Sequence, residues 1–247
     1  MNLAIGWKSV PVGFERRPVQ QNGQVRRSRD SRRPLPRLAG AWMAQKQNDR
    51  YVRRIHRSGL PVDTIELAKY LIGKTLVHDT PAGRISGRIV ETEAYVVGDA
   101  AGHAYRGPTL RNKSLFLDHG HAYVYRAYGL HFLVNVSSEA RGVGAGVLLR
   151  ALEPLDGIHL MRLRRGQPPL IDLAKGPGRL AQAMGIGLQH GGLDLCGAGP
   201  LWLGDSVRPT GEIGRSVRVG ISRETQRLLR FYERGSRYVS GPKRSRV

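Results

Sequence analysis

The stretch that most constrains this chain is GRISGRIVETEAY, Gly83 to Tyr95. Its first part, GRISGRIV (Gly83–Val90), alternates and is ended by Glu91 and Glu93, and alternation of period two is the signature of a strand. A strand of this length commits the chain to a sheet. The same period places Glu91, Glu93 and Tyr95 on one face. Ten residues past Glu93 comes His103, in AAGHAYRGPT. His121, Tyr123, Tyr125 and Tyr128 follow in HAYVYRAYG, and Asn135 in LVNVSS. An acid, an imidazole, several flat rings and a carboxamide are the groups needed to hold a planar base and move a water.

The elements around this stretch can be read in order. Asp63 is placed to cap a helix, with Glu66 three residues later in a capping-box-like pattern, and Gly73 to end it. TLVHD (Thr75–Asp79) reads as a strand, turning at Thr80-Pro81-Ala82-Gly83 into the long one. Residues Val96 to Asp118 read as a long loop, in which Arg106, Arg111 and Lys113 are candidates for phosphate contact or for a plain solvated basic surface. HAYVYRAY and LHFLVNVSS read as an antiparallel hairpin with Tyr128 near its tip. GVLLRALEP is an apolar run broken by Arg150, which must meet an anion, several carbonyls or water at a strand edge. DGIHLMRLRRG and GPGRLAQAMGI read as helices, the second opened by Pro177. Cys196 reads as a core thiol. SVRVGI (Ser216–Ile221) reads as a strand, Ser222 as the cap of a short helix SRETQRLL, and LRFYERG as a returning strand. The plan is a single mixed α+β domain with a mainly antiparallel sheet.

The net charge of +21 points to a polyanionic partner, above all nucleic acid. Residues 1–50 hold eleven Lys or Arg against three acids, which leaves +13 on the rest. They show no sustained hydrophobic period and read as disordered. A basic DNA-binding arm, an organellar targeting segment and an overextended start, with Met43 as the true one, all fit. The domain organisation is therefore a basic extension over 1–58, a folded domain over 59–241 and a basic tail over 242–247. A single cysteine makes no internal disulfide, and nothing around it has zinc-ligand spacing. No apolar run approaches the ~20 residues of a membrane helix, and the start lacks a secretory apolar core.

Several blocks together resemble the alkyladenine (3-methyladenine) DNA glycosylases. They are IVETEAY, HAYRGPTLRN, AYVYRAYGLHFLVNVSS, GVLLRALEPLDG, GPGRLAQAMGI and RFYERGSRYVSG, in family order over roughly Val62 to Gly241. The resemblance implies a curved antiparallel core with surrounding helices, like the C-terminal domain of methionyl-tRNA formyltransferase, and no helix-hairpin-helix. It implies a monofunctional glycosylase of base excision repair that flips alkylated or deaminated purines from duplex DNA and hydrolyses the N-glycosidic bond, leaving an abasic site. The lesions implied are of the 3-methyladenine, 7-methylguanine and hypoxanthine class. Glu93 matches the base that holds the water, and Arg150 the arginine beside it, whose charge would keep Glu93 ionised. Tyr95, His103 and Tyr125 match the rings around the flipped base, Asn135 the pocket floor, and Tyr128 the residue that fills the gap in the duplex. No cofactor or metal is implied. The expected partner is damaged double-stranded DNA, with no membrane. A monomer is expected, in the bacterial cytoplasm at the nucleoid, or in the nucleus of a eukaryote. Gly102 and Leu110 depart from the Ser and Pro frequent in relatives and put loop shape and lesion range in question. Two rivals share the charge and fold: a non-catalytic nucleic-acid-binding module, and a ribosome-associated basic protein.

Overall fold

A computed structural model describes residues 52–127 and 129–241. The readings placed on residues 1–51, Tyr128 and 242–247 lie outside the described residues.

The long alternating run is the central strand of the sheet. Strand β1 (Thr75–Thr80) pairs antiparallel with β2 (Gly83–Tyr95) across the expected Pro-Gly turn. The hairpin β3 (Ala122–Ala127) and β4 (His131–Ser137) joins it through β5 (Gly146–Pro154). Strands β6 (Leu201–Gly204), β7 (Ile213–Ser216) and β8 (Arg230–Glu233) complete the sheet. The order is β3-β4-β5-β2-β1-β6, with β8 pairing β2 and β7 pairing β8. Along one edge β2 passes from β1, which covers Gly83–Arg88, to β8, which covers Glu91–Glu93. The result is a curled antiparallel half-barrel with three α-helices, the α+β plan read from the sequence. These are α1 (Thr64–Tyr70), α2 (Ile158–Arg165) and α3 (Pro177–Met184), and no helix-hairpin-helix occurs among the described residues.

Local chemistry explains the helix ends. Asp63 accepts from the amides of Ile65 and Glu66, satisfying two otherwise orphan donors of α1. Glu66 pairs instead with Lys69, at 2.8 Å. Helix α3 starts on Pro177 and ends on Gly185, whose φ of 69° suits the left-handed cap.

The main core lies between the helices and one face of the sheet. It includes Leu67, Leu71, Ile85, Ile89, Val134, Val136, Val147, Leu149, Leu152, Leu180 and Met184. A phase change in the two central strands decides what the other face carries. The β2–β5 register skips Val90 between Ile89 and Glu91, and skips Arg150 between Ala151 and Leu149. An extra residue in a strand reverses the facing of everything beyond it. Thus Ile85 and Ile89 point into the helix-side core, whereas Glu91 and Glu93, of the same parity, point away from it. Thr92 and Ala94 take the core side instead, and the Thr92 hydroxyl donates to the Ala68 carbonyl of α1 at 2.9 Å. Uniform alternation would have driven two carboxylates into the apolar core.

Two local readings differ from the structure. Ser222–Leu229 forms bends and turns rather than a helix. Residues 222–226 are exposed, so no apolar stripe holds them as a helix, and Glu224 has a φ of 52°. The strand expected over Ser216–Ile221 ends at Ser216, because Arg218 turns inward to a buried carboxylate.

Candidate active site

One row of residues in register crosses five strands. Tyr123 faces Asn135, Asn135 faces Leu148, Leu148 faces Glu93 and Glu93 faces Arg230. Paired residues share a sheet face, so the row brings Tyr123, Asn135 and Glu93 to one side. A cavity of about 610 Å³ opens there, lined among others by Tyr95, His103, Tyr123, Tyr125, Asn135 and Arg150. Its size lies within the range of small-molecule sites.

Behind Tyr95 and Arg150 sits a buried ionic cluster. Arg150 donates from Nε to Glu91 Oε1 at 2.8 Å and places Nη1 3.2 Å from Glu93 Oε2. Glu91 also accepts from Arg230 Nε at 2.7 Å and from the Ser240 amide at 2.6 Å. Burial opposes its charge, but Arg150, Arg230 and the Ser240 amide hold its carboxyl below the usual carboxylate range. Neither acid pairs with Arg84 or Arg88, which bind Asp79 and Glu233.

Glu93 differs from its neighbour. It accepts from the Val219 amide at 2.7 Å and from the Tyr95 hydroxyl at 3.0 Å. Burial dominates and, with Glu91 nearby, pushes the carboxyl above its ordinary value against the pull of Arg150, Val219 and Tyr95. Arg150 pulls the Glu93 pKa down, the direction that favours the ionised form, but burial outweighs it. Its charge is shared between two carboxylates, and Glu91 receives the shorter bond. A buried carboxylate with a raised pKa beside a cavity has the character of an acid–base group.

The aromatic residues are arranged unequally. His103 and Tyr125 touch edge-on, with ring centroids 4.3 Å apart, so they form one wall with no space between them. Tyr123 stacks against Tyr125 at 5.5 Å, and its hydroxyl lies 2.8 Å from His103 Nδ1. Partial burial and the charge of Arg111 lower the His103 pKa. Tyr95 has the Arg218 guanidinium 4.6 Å from its ring. Asn135 is buried and donates its amide to the Tyr123 carbonyl at 3.2 Å. Arg106, Arg111 and Lys113 are exposed; Arg111 lines the cavity and donates to the Arg126 carbonyl at 3.2 Å, Arg106 lines a neighbouring pocket that shares His103 and Arg111, and Lys113 lines neither.

The family described as methylpurine-DNA glycosylase (MPG) matches residues 59–237. The chain belongs to the methylpurine-DNA glycosylase family. Membership makes it a DNA-repair enzyme, a hydrolase acting on N-glycosyl bonds. Among similar proteins, the "Putative 3-methyladenine DNA glycosylase" of Mesorhizobium japonicum is 64% identical over 189 residues, 76% of this chain and 91% of that protein. A protein of the same name from Paraburkholderia phytofirmans is 54% identical, over 76% of this chain and 88% of its own length. Another from Methanoculleus marisnigri is 48% identical, over 72% and 94%. No helix among the described residues is long and apolar enough to cross a membrane.

Sequence reading missed three contributors to this glycosylase site. Arg230 binds Glu91, Val219 offers its amide to Glu93, and Arg218 lies over Tyr95. The one signal was the presence of arginines inside otherwise apolar strands, which demands buried anions.

Proposed function

We propose that the protein removes alkylated or deaminated purines from duplex DNA with Glu93 as the base that activates the attacking water. The observation that carries this reading is a fully buried carboxylate of raised pKa, bridged to Arg150 and set directly behind a ring-lined cavity. The flipped base stacks against the Tyr125–His103 wall on one side and Tyr95 on the other. Stacking of this kind is worth about 1–3 kcal/mol per base. Asn135 on the floor disfavours normal guanine, whose amino group at position 2 would clash there. Arg106, Arg111 and Lys113 bind phosphates, and Tyr128 fills the gap left in the duplex.

Glu93 has no exposed surface, so a water must replace one of its present partners. The Tyr95 hydroxyl on Oε2 is the exchangeable one, since the Val219 amide belongs to the backbone and Arg150 is fixed by Glu91. The water then lies between Glu93 and Arg150. Glu93 takes its proton as oxygen attacks the sugar carbon, and the carboxylate's own charge favours the oxocarbenium-like character that develops on the sugar. The leaving base departs with the glycosidic electron pair. No lysine lies among the matched site residues to form a Schiff base, so the product is an abasic site in an uncut strand. The protein works as a monomer where the genome lies.

Release of free base from a duplex carrying hypoxanthine or an alkylated adenine tests this reading. Glu93→Gln should bind the duplex as the wild type does and lose release by about 10²–10⁴-fold. A wild type that binds tightly but releases no purine would leave only a binding module on this fold.

A further inference from the structure

A second buried ion pair, between Arg218 and Asp99, lies against the site. Asp99 and the side chain of Arg218 have essentially no exposed surface. Arg218 donates to both Asp99 oxygens, one through Nη1 and the other through Nη2 at 3.1 Å. Nη1 also donates to the Ala94 carbonyl at 3.0 Å. The forked bond to a carboxylate fixes the guanidinium in plane and position.

We infer that Arg218 and Asp99 are positioning residues that set the orientation of Glu93 and of the ring of Tyr95. Three contacts carry this. Arg218 immediately precedes Val219, whose amide donates to Glu93 Oε1 at 2.7 Å. Its guanidinium lies 4.6 Å from the centre of the Tyr95 ring, covering the aromatic that binds Glu93 Oε2. Its partner Asp99 accepts from the Ala101 amide at 2.9 Å through Oδ1, and the Asp99 carbonyl accepts from Gly102 at 2.8 Å, forming the turn that leads to His103. One ion pair thus ties together the segment over the carboxylate, the Tyr95 ring and the entry to the loop bearing the opposite wall.

The electrostatic consequence has a definite sign. An amide N–H on a carboxylate favours its ionised form, as does a nearby guanidinium. Removing the Arg218 side chain releases the segment that carries the Val219 amide, takes away the guanidinium over Tyr95 and leaves the Asp99 charge uncompensated, and each change pushes Glu93 further towards its protonated form. A residue that served only to hold the fold would lower the amount of active enzyme equally at every pH.

This inference rests on Glu93 acting as the base, and the experiment separates the two. Single-turnover release of hypoxanthine from a duplex is followed across pH for the full-length wild type, Arg218→Gln, Arg218→Lys and Asp99→Asn, with duplex affinity and thermal melting measured alongside. Arg218→Gln should lower the rate at neutral pH by about tenfold or more and move the acidic limb upward by about one pH unit, with duplex affinity unchanged. Arg218→Lys keeps a charge and one donor and should recover part of both. Asp99→Asn keeps the shape and leaves the Arg218 charge uncompensated, so it should slow release while moving the limb downward rather than upward. A folded Arg218→Gln protein with the wild-type limb overturns the inference, as does a loss uniform across pH in both Arg218 variants. If Arg218→Gln fails to fold, Arg218→Lys and Asp99→Asn decide by the same criteria. A wild type without release, or with release unaffected by Glu93→Gln, overturns the underlying assignment of Glu93 instead.

Discussion

Arg150 holds Glu91 and Glu93 with a single guanidinium, Nε 2.8 Å from Glu91 and Nη1 3.2 Å from Glu93. It reaches both because the register skips it in β5, opposite the extra residue in β2. The two acids, two residues apart, are held on opposite sides of the ordinary carboxylate pKa.

Arg150→Met should therefore damage activity and stability by different routes. Glu91 keeps Arg230 and Ser240, whereas Glu93 loses its only ion-pair partner among the described residues and protonates more readily. Base release at neutral pH should fall by about 10²-fold or more, with the acidic limb moved upward. Breaking a buried pair by deleting one partner typically costs about 3–5 kcal/mol. Denaturant unfolding and a pH–rate profile measure the two effects, and an unchanged limb would separate Arg150 from Glu93 ionisation.

The two acids should also act oppositely on stability as pH falls. Glu91 has a depressed folded-state pKa, so its contribution is present above its unfolded value and is lost as pH falls through the folded value. Glu93 has a raised one, so the folded state takes up its proton first and gains relative stability as pH falls through that value. Glu91→Gln should lower Tm strongly at neutral pH and flatten the acid-induced loss. Glu93→Gln should melt near or above the wild type at neutral pH, although release is lost. Melting curves over the acidic range decide this, and parallel behaviour of the two variants would contradict it.

Much of this site was legible because strand parity groups side chains without reference to partners. Glu91, Glu93 and Tyr95 could be placed together from β2 alone, and Tyr123 with Tyr125 from β3. The bulge left only a faint mark, the adjacent apolar pair Ile89-Val90 at which the apolar positions change parity. The reversal between Ile89 and Glu91 is fixed only when Leu152 and Ala151 stand opposite. Arg230 and Arg218 were out of reach for a related reason: each meets an acid more than a hundred residues away. The failed helix at Ser222–Leu229 shows the limit of capping signals where no apolar face supports them.

Tyr95→Phe isolates the hydroxyl from the ring. The ring keeps its stacking face, and Glu93 Oε2 loses a donor that a water is expected to replace. Release should stay within about tenfold of the wild type, whereas Tyr95→Ala should lose the stacking contribution, about 1–3 kcal/mol. If Tyr95→Phe were as inactive as Tyr95→Ala, the hydroxyl would be a required donor rather than an exchangeable one.

The exposed cations Arg106, Arg111 and Lys113 should affect binding without affecting chemistry. Arg106→Gln and Lys113→Gln each remove one phosphate contact and should lower the slope of log affinity against log salt by about 0.9. Arg111→Gln should do the same and in addition raise the His103 pKa, since the Arg111 charge helps depress it. Titration with an undamaged duplex over a salt series tests the slopes. A salt slope unchanged in all three variants would move the DNA-binding surface elsewhere.

Outside the cavity lining, His78 on β1 and His190 form a buried imidazole pair whose bonds admit one neutral tautomer each. His78 Nδ1 lies 2.7 Å from the Met184 carbonyl and so carries its proton, which leaves Nε2 as an acceptor. His190 Nε2 lies 3.3 Å away and must donate, while its Nδ1 accepts from the Gly187 amide at 3.0 Å. A second proton on either ring sets N–H against N–H. Burial accordingly lowers both pKa values, with Arg164 also opposing the charge on His78 and His78 opposing that on His190; the Met184 carbonyl and Asp79 only partly offset this for His78, and the Gly187 carbonyl does so for His190. Below about pH 6.5 the unfolded chain binds protons that the folded one refuses, so stability is fully present above that value and declines as pH falls towards the folded pKa. His103 contributes in the same direction and Glu93 in the opposite one, so the comparison must be made between variants. His190→Gln keeps a donor for His78 and has no imidazole to titrate. Its Tm should fall less than that of the wild type between pH 7.5 and 5.5, and equal falls in the two proteins would show that the pair does not govern acid stability.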